Sequence, residues 1–177
     1  MLSAADDIFA PVTVPPERTS VEAVGIADLI CAETSALVQA WKKWRGWGAL
    51  APYRAWAEAR LGSEIAHASM ARVLDGGQDY EFEFIGDAHV RAYGVDHSGR
   101  RVSDISRLSP RFGRQLKASY DLVRISAHPH AFQGTIGAED SGAGFVWFET
   151  AYLPIGDRGS VDYVLNAAVY RLREERP

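Results

Sequence analysis

Two periodicities divide this chain. After Thr19, apolar residues recur at helical spacing, at Val24, Ile26, Leu29, Ile30, Leu37, Ala40, Trp41 and Trp44. Thr19 with Glu22 three positions on is a capping-box pattern, and Gly46 and Gly48 close the segment, so one long amphipathic helix is predicted over residues 20–45. Pro52 to His67, with Trp56, Ala57, Ala59 and Leu61, predicts a further short helix. From Ser69 the period falls to two. Met70 to Leu74 and Tyr80 to Ile85 read as strands around Asp75-Gly76-Gly77, a good hairpin signal.

The second strand is the most informative stretch. Tyr80, Phe82 and Phe84 alternate against Glu81 and Glu83, which predicts one buried and one exposed face. Gly86 and Asp87 supply backbone freedom and an N-cap, and Gly94 ends the short helix that follows. A turn-rich linker, Val95 to Arg101, leads to Val102–Ile105. Ser109 before Pro110 then opens a helix to about Ser126, with Phe112, Leu116, Tyr120 and Val123 on its apolar face.

Three strands close the chain: Ala131 to Ile136, Phe145 to Leu153 and Val161 to Leu172. Gly137 to Gly142 and Pro154 to Gly159 separate them and are turns by composition. Phe145 to Leu153 is apolar on both faces. Phe145, Trp147, Ala151 and Leu153 fall on one side, with Val146, Phe148, Thr150 and Tyr152 on the other, so both faces of the sheet are expected to be covered.

Composition narrows the class. With 177 residues, 47% of them hydrophobic and 24% charged, the chain can build one domain with a real core. Residues 1–18, with prolines at 11, 15 and 16, are expected to be a disordered or extended tail, and 173–177 a second tail. Between them the reading gives an N-terminal helical segment, 19–48, and a main domain, 49–172. A net charge of -4 and a pI near 5.7 argue against nucleic acid as a partner. No apolar run reaches the length of a membrane span, and the acidic start Asp6-Asp7 is unlike a signal peptide, so a cytoplasmic protein is expected.

The order helix, two strands, several short helices, one longer helix and three strands resembles the PAS domain, in particular a bacterial branch of single-domain PAS proteins of largely unassigned function. The residues that carry the resemblance are Tyr80 to Gly86, Tyr93 to Arg100, and the final hairpin Trp147 to Ile155 with Asp157 to Asp162. It covers roughly residues 41–172. It departs between Ala49 and His67, where that branch shows an arginine and acidic motif leading into a proline and this chain has Arg54-Ala55-Trp56-Ala57.

The resemblance implies an α+β fold: a five-stranded antiparallel sheet under a helical cap, with a small pocket between them. It also implies a long N-terminal helix on the other face that helps form a homodimer. Ile26, Leu29, Ile30, Leu37, Trp41 and Trp44 are then the dimer-helix candidates. Candidate pocket residues are Leu116, Tyr120 and Val123 on the lid helix, with Phe148, Tyr152 and Tyr163 on the sheet. Tyr120 and Tyr152 lead that set because a buried hydroxyl needs a partner.

Other chemistry finds less support. His128 and His130 are the only close histidine pair and have no acidic or cysteine partner spaced to complete a metal site. A PAS haem is held by a histidine on the longer helix, and His128 lies just past its end. The single cysteine, Cys31, lies on the N-terminal segment, away from where a flavin-thiol adduct or a cinnamoyl thioester would form. Asp96 and His97 read as turn residues. Glu149, a carboxylate in an apolar strand, either faces solvent, pairs with a base such as Arg124, or is a buried group reading a ligand.

Three functions are expected in descending order. The first is a sensory or regulatory module that binds a small molecule and signals through a dimer or another protein. The second is a ligand-free interaction module with a filled core. The third is a cone-shaped α+β enzyme of the ketosteroid isomerase type.

Overall fold

The computed structural model describes residues 18–137, 144–157 and 159–173. The fold is α+β, built on one antiparallel sheet of six strands, with helices on both faces. In chain order the strands are β1 (Ser20–Val24), β2 (Ala68–Leu74), β3 (Asp79–Ile85), β4 (His130–Thr135), β5 (Phe145–Ile155) and β6 (Tyr163–Leu172). They lie side by side as β1-β4-β5-β6-β2-β3. The helices are α1 (Ala32–Arg45), α2 (Tyr53–Ala57), α3 (Asp87–Tyr93), α4 (Val102–Leu108) and α5 (Pro110–Ser126). The expected tails fall outside the described residues except for Arg18 and Arg173, as does most of the expected turn at 137–142.

The predicted long N-terminal helix is the main correction. Residues 20–24 are a strand, and only 32–45 are helical. Ser-Val-Glu-Ala-Val alternates as well as it repeats helically, and the free edge of β4 offers it a ladder, from Ser20 opposite Thr135 to Val24 opposite Ala131. The sheet therefore has six strands, not five. Thr19 does not cap a helix, because its hydroxyl accepts a hydrogen bond from the Gly137 amide at 3.0 Å. Gly134 makes the close approach possible, since a Cβ there would lie 2.3 Å from the Ser20 carbonyl oxygen.

One face of the sheet is covered by α1. Leu37, Val38 and Trp41 are buried there against Met70, Ala151, Leu153 and Leu165. Each such side chain contributes about 1.5–3 kcal/mol by leaving water. The Trp41 indole N–H also donates to the Pro154 carbonyl at 2.9 Å. Two of the six dimer-helix candidates are thus buried within the chain. Leu37 and Trp41 are in the core, Trp44 packs edge-on to Trp56, and Ile26, Leu29 and Ile30 lie in the connection before α1 rather than on a helix.

The other face carries α3, α4 and α5. Tyr80 and Phe82 of β3 pack there with Val102, Ile105, Tyr120 and Val123. Two bulges alter the predicted alternation. Between Met70 and Ala71 the β2–β3 register shifts, so Phe82 pairs with Ala71 but Phe84 pairs with Met70 and joins the α1 side, 5.9 Å from Trp56. Between Phe145 and Trp147 the β5–β6 register shifts likewise. Phe145 therefore shares a face with Phe148 and Tyr170 instead of with Trp147.

The β3–α3 junction is tight. Gly86 is the N-cap of α3, and Asp87 is its first residue. A Cβ on Gly86 would lie 2.4 Å from the Ala66 carbonyl oxygen and 2.5 Å from that of Ile65, so only glycine fits. Gly94 ends the helix with φ 70°.

Candidate functional site

Between the sheet and α4–α5 lies a cavity of about 790 Å³. Phe148, Thr150 and Tyr152 of β5 form its floor, joined by Phe132 of β4, Phe145, and Tyr170 of β6. Its roof is Phe112, Gln115, Leu116 and Ser119 of α5, with Ile105 of α4. Tyr93 at the end of α3 closes one end. Apolar residues that stay exposed, Val21, Val95 and Leu108, mark its rim with Arg111. Among the described residues that line it there is no Asp or Glu.

The helix spacing accounts for the roof. Phe112, Leu116, Tyr120 and Val123 fall on one face of α5, but the helix lies over the sheet so that only its first half spans the cavity. Leu116 lines the cavity, while Val123 sits in the packed core with Val164 and Tyr80. Tyr120 lines a small adjoining recess of about 20 Å³, and its ring lies 5.1 Å from Tyr80 and 5.8 Å from Tyr152.

Of the six candidate pocket residues, Leu116, Phe148 and Tyr152 are on the cavity wall and Tyr120 is on the recess. Val123 and Tyr163 are elsewhere. Tyr163 faces the opposite side of the sheet, stacked on Tyr53 at 4.3 Å. The strand's start at Tyr163, two residues later than predicted, and its pairing with Ile155 put it there.

Sequence reasoning missed a hydrogen-bonded group at the inner end. His67 Nδ1 donates to the Ala168 carbonyl at 3.0 Å, and the His67 carbonyl lies 3.1 Å from His89 Nε2. His89 Nδ1 lies 3.1 Å from the Tyr170 hydroxyl, which lies 3.4 Å from that of Tyr93. Burial holds His89 well below its ordinary value, at about 4, so its ring is neutral at pH 7. Burial raises the hydroxyls of Tyr93, Tyr152 and Tyr170. The available signal was Tyr93-Gly94 at a helix end and Tyr170 two residues beyond Ala168 on an otherwise small-residue face, neither of which has a diagnostic spacing.

Glu149 belongs to a different structure. It is fully buried on the α1 side and pairs with neither solvent nor Arg124. Its carboxylate accepts from the amides of Ile30 at 2.8 Å and Cys31 at 3.0 Å, from Gln133 Nε2 at 2.7 Å, and from the Thr34 hydroxyl. Cys31 is the N-cap of α1 and makes no side-chain cap hydrogen bond, so β5 supplies the capping carboxylate from outside the helix. Burial and the neighbouring Glu149 push the Cys31 thiol up to about 12, which leaves it a poor nucleophile.

Of the remaining histidines, two lie just past the end of α5 and one lines the cavity. His130 Nε2 lies 2.9 Å from the Ser126 hydroxyl, and His128 donates its amide to the same oxygen at 3.2 Å. Asp96 accepts from the Ser98 amide at 2.8 Å in the linker turn, and His97 lies over Phe82 at the edge of the cavity. Among the described residues no group of three or more His, Cys, Asp or Glu is placed to hold a metal ion, and no helix is long and apolar enough to cross a membrane.

No family model, curated protein or solved structure matches this chain.

Proposed function

We propose that this chain is a sensory or regulatory module of the PAS type that binds a small, mainly apolar molecule between its sheet and its helical cap. The observation that carries the reading is the cavity of about 790 Å³, a volume within the roughly 300–1,000 Å³ of small-molecule sites. It has a wall rich in aromatic rings, a few convergent hydroxyls and a rim that is apolar apart from Arg111, the arrangement that binds an apolar body and orients it by a polar group. A filled core, as the pure interaction module requires, is hard to reconcile with that volume.

The PAS assignment is supported by topology. Without β1, five antiparallel strands remain with α3, α4 and α5 between β3 and β4 in the chain, and five antiparallel strands under a helical cap are what the resemblance implies. The added β1 covers the edge of β4, and α1 reaches β5 through Glu149, one residue from the cavity residues Phe148 and Thr150. Strand β5 is therefore the element through which occupancy would reach α1 and any partner bound there. Leu37 and Trp41 are buried within the chain, while Ile30, Trp47, Leu122 and Ile125 are among the exposed large apolar residues that a partner could cover.

Native mass spectrometry of the purified chain tests the reading, with Nile red titration as the second arm. An adduct lost on denaturation, or saturable Nile red binding weakened by Ala118→Trp at the cavity roof, is the expected result. A bare mass with no saturable dye binding refutes it.

A further inference from the structure

The inner end of the cavity has a fixed hydrogen-bond polarity. The His67 carbonyl can only accept, so His89 Nε2, 3.1 Å away, carries the ring proton. In a neutral ring Nδ1 then has only a lone pair, and the Tyr170 hydroxyl at 3.1 Å must donate to it. A phenol has one proton. With that proton directed to His89, the contact between Tyr170 and Tyr93 at 3.4 Å has Tyr93 as donor. Both hydroxyls thus direct their protons inward and keep only acceptor lone pairs.

Thr150 on the cavity floor has the opposite polarity. Asn166 Nδ2 donates to the Thr150 hydroxyl oxygen at 2.5 Å and to the Ala151 carbonyl at 3.3 Å, which frees the Thr150 proton. With its oxygen accepting from Asn166, the Thr150 hydroxyl has its proton to give to a ligand in the cavity that it lines. Tyr93, Tyr152 and Tyr170 line both the large cavity and the small recess, which makes this the junction of the two.

From this polarity we infer that the ligand is a neutral apolar molecule bearing a hydroxyl group, which donates to the Tyr93–Tyr170 oxygens and accepts from Thr150. The inference rests on the small-molecule reading above and specifies its ligand class. An ether or carbonyl has no proton to give those oxygens. A carboxylate would set its charge against them in a buried site, at a cost that an uncharged group avoids. The size of the aromatic chamber suits a ring system or a medium-length chain as the apolar body.

The test uses four probes of one shape: 2-naphthol, naphthalene, 2-methoxynaphthalene and 2-naphthoate, titrated by calorimetry into the full chain at pH 7. The expected order has 2-naphthol about tenfold tighter than each of the others, as one satisfied buried donor and acceptor predict. In Tyr93→Phe and Tyr170→Phe, each checked for an unchanged circular dichroism spectrum, that advantage falls below about threefold while naphthalene binding holds. His89→Gln supplies a third variant should either phenylalanine form fail to fold. Equal affinity for 2-naphthol and its methyl ether, or tighter binding of 2-naphthoate, overturns the inference and leaves the pocket standing. Failure of all four to bind overturns both.

Discussion

Replacing Glu149 by alanine removes an acceptor that four donors share. Two of them are the amide of Cys31, the N-cap of α1, and that of Ile30 just before it, and neither donates within the helix. A buried donor left without a partner costs about 1–3 kcal/mol, which the Cys31 amide loses in full and the part-buried Ile30 amide in part, so the two lose about 2–4 kcal/mol. Loss of an anion from the positive end of a 14-residue helix adds about 0.3–2 kcal/mol. Thr34 recovers part, because its hydroxyl already lies 3.0 Å from the Cys31 carbonyl, and Gln133 on the solvent-nearer strand β4 can turn to water. We therefore expect about 3–5 kcal/mol of destabilisation, in line with breaking a buried charged network. Glu149→Gln keeps one carbonyl acceptor and should lose about half as much. Urea unfolding followed by tryptophan fluorescence, which reports the buried Trp41, measures both, and the slope with urea should stay constant. Glu149→Ala within about 1 kcal/mol of the parent protein refutes the capping role.

The other predictions follow from single contacts. His89 has its folded value pushed down to about 4 from an ordinary 6.5. Between those values the unfolded chain binds a proton that the folded chain does not, so stability is present above pH 6.5 and lost as pH falls toward 4, by about 3 kcal/mol in full. Urea midpoints at pH 7.5, 6 and 5 should show that slope, and His89→Gln should flatten most of it, with His97 and His130 contributing in the same direction. Gly86→Ala drives a Cβ into two backbone carbonyls and should cost about 1–3 kcal/mol by thermal melting. Cys31 should resist iodoacetamide at pH 8 until the chain is unfolded, and rapid labelling of the native protein would contradict its burial beside Glu149.

The sheet and the lid helix were legible because their patterns are local and long. Pro110–Ser126 matches its predicted limits, since Ser109-Pro110 and a clean apolar face leave little competition. The segment 20–45 was not legible. Val21, Ala23 and Val24 suit either period, and what decides is an unpaired edge more than a hundred residues away, a tertiary fact without a local trace. The same holds for Phe84 and Phe145. Strict alternation placed each on a definite face, and one inserted residue in each ladder moved it to the other.

The candidate site divides along the same line. Leu116, Phe148 and Tyr152 were found because the helix and strand that carry them were correctly read and face each other across the cavity. Tyr93, His89 and Tyr170 were missed because their meaning depends on three separate elements, α3, β6 and the turn that bears His67, meeting at one point. Glu149 shows the complementary case. As a carboxylate in an apolar strand it stood out, yet its side of the strand decides its role. One position over, on Phe148 or Thr150, a carboxylate would face the cavity. At 149 it faces α1 instead and anchors that helix. The same strand thus holds cavity-facing residues on one side and a helix anchor on the other, within three consecutive positions. A substitution at Thr150 that alters ligand affinity should therefore also shift exchange of the Ile30 and Cys31 amides, whereas Tyr93→Phe, carried on α3, should alter affinity and leave those amides unmoved. Equal exchange in the two variants would show that β5 does not couple the cavity to α1.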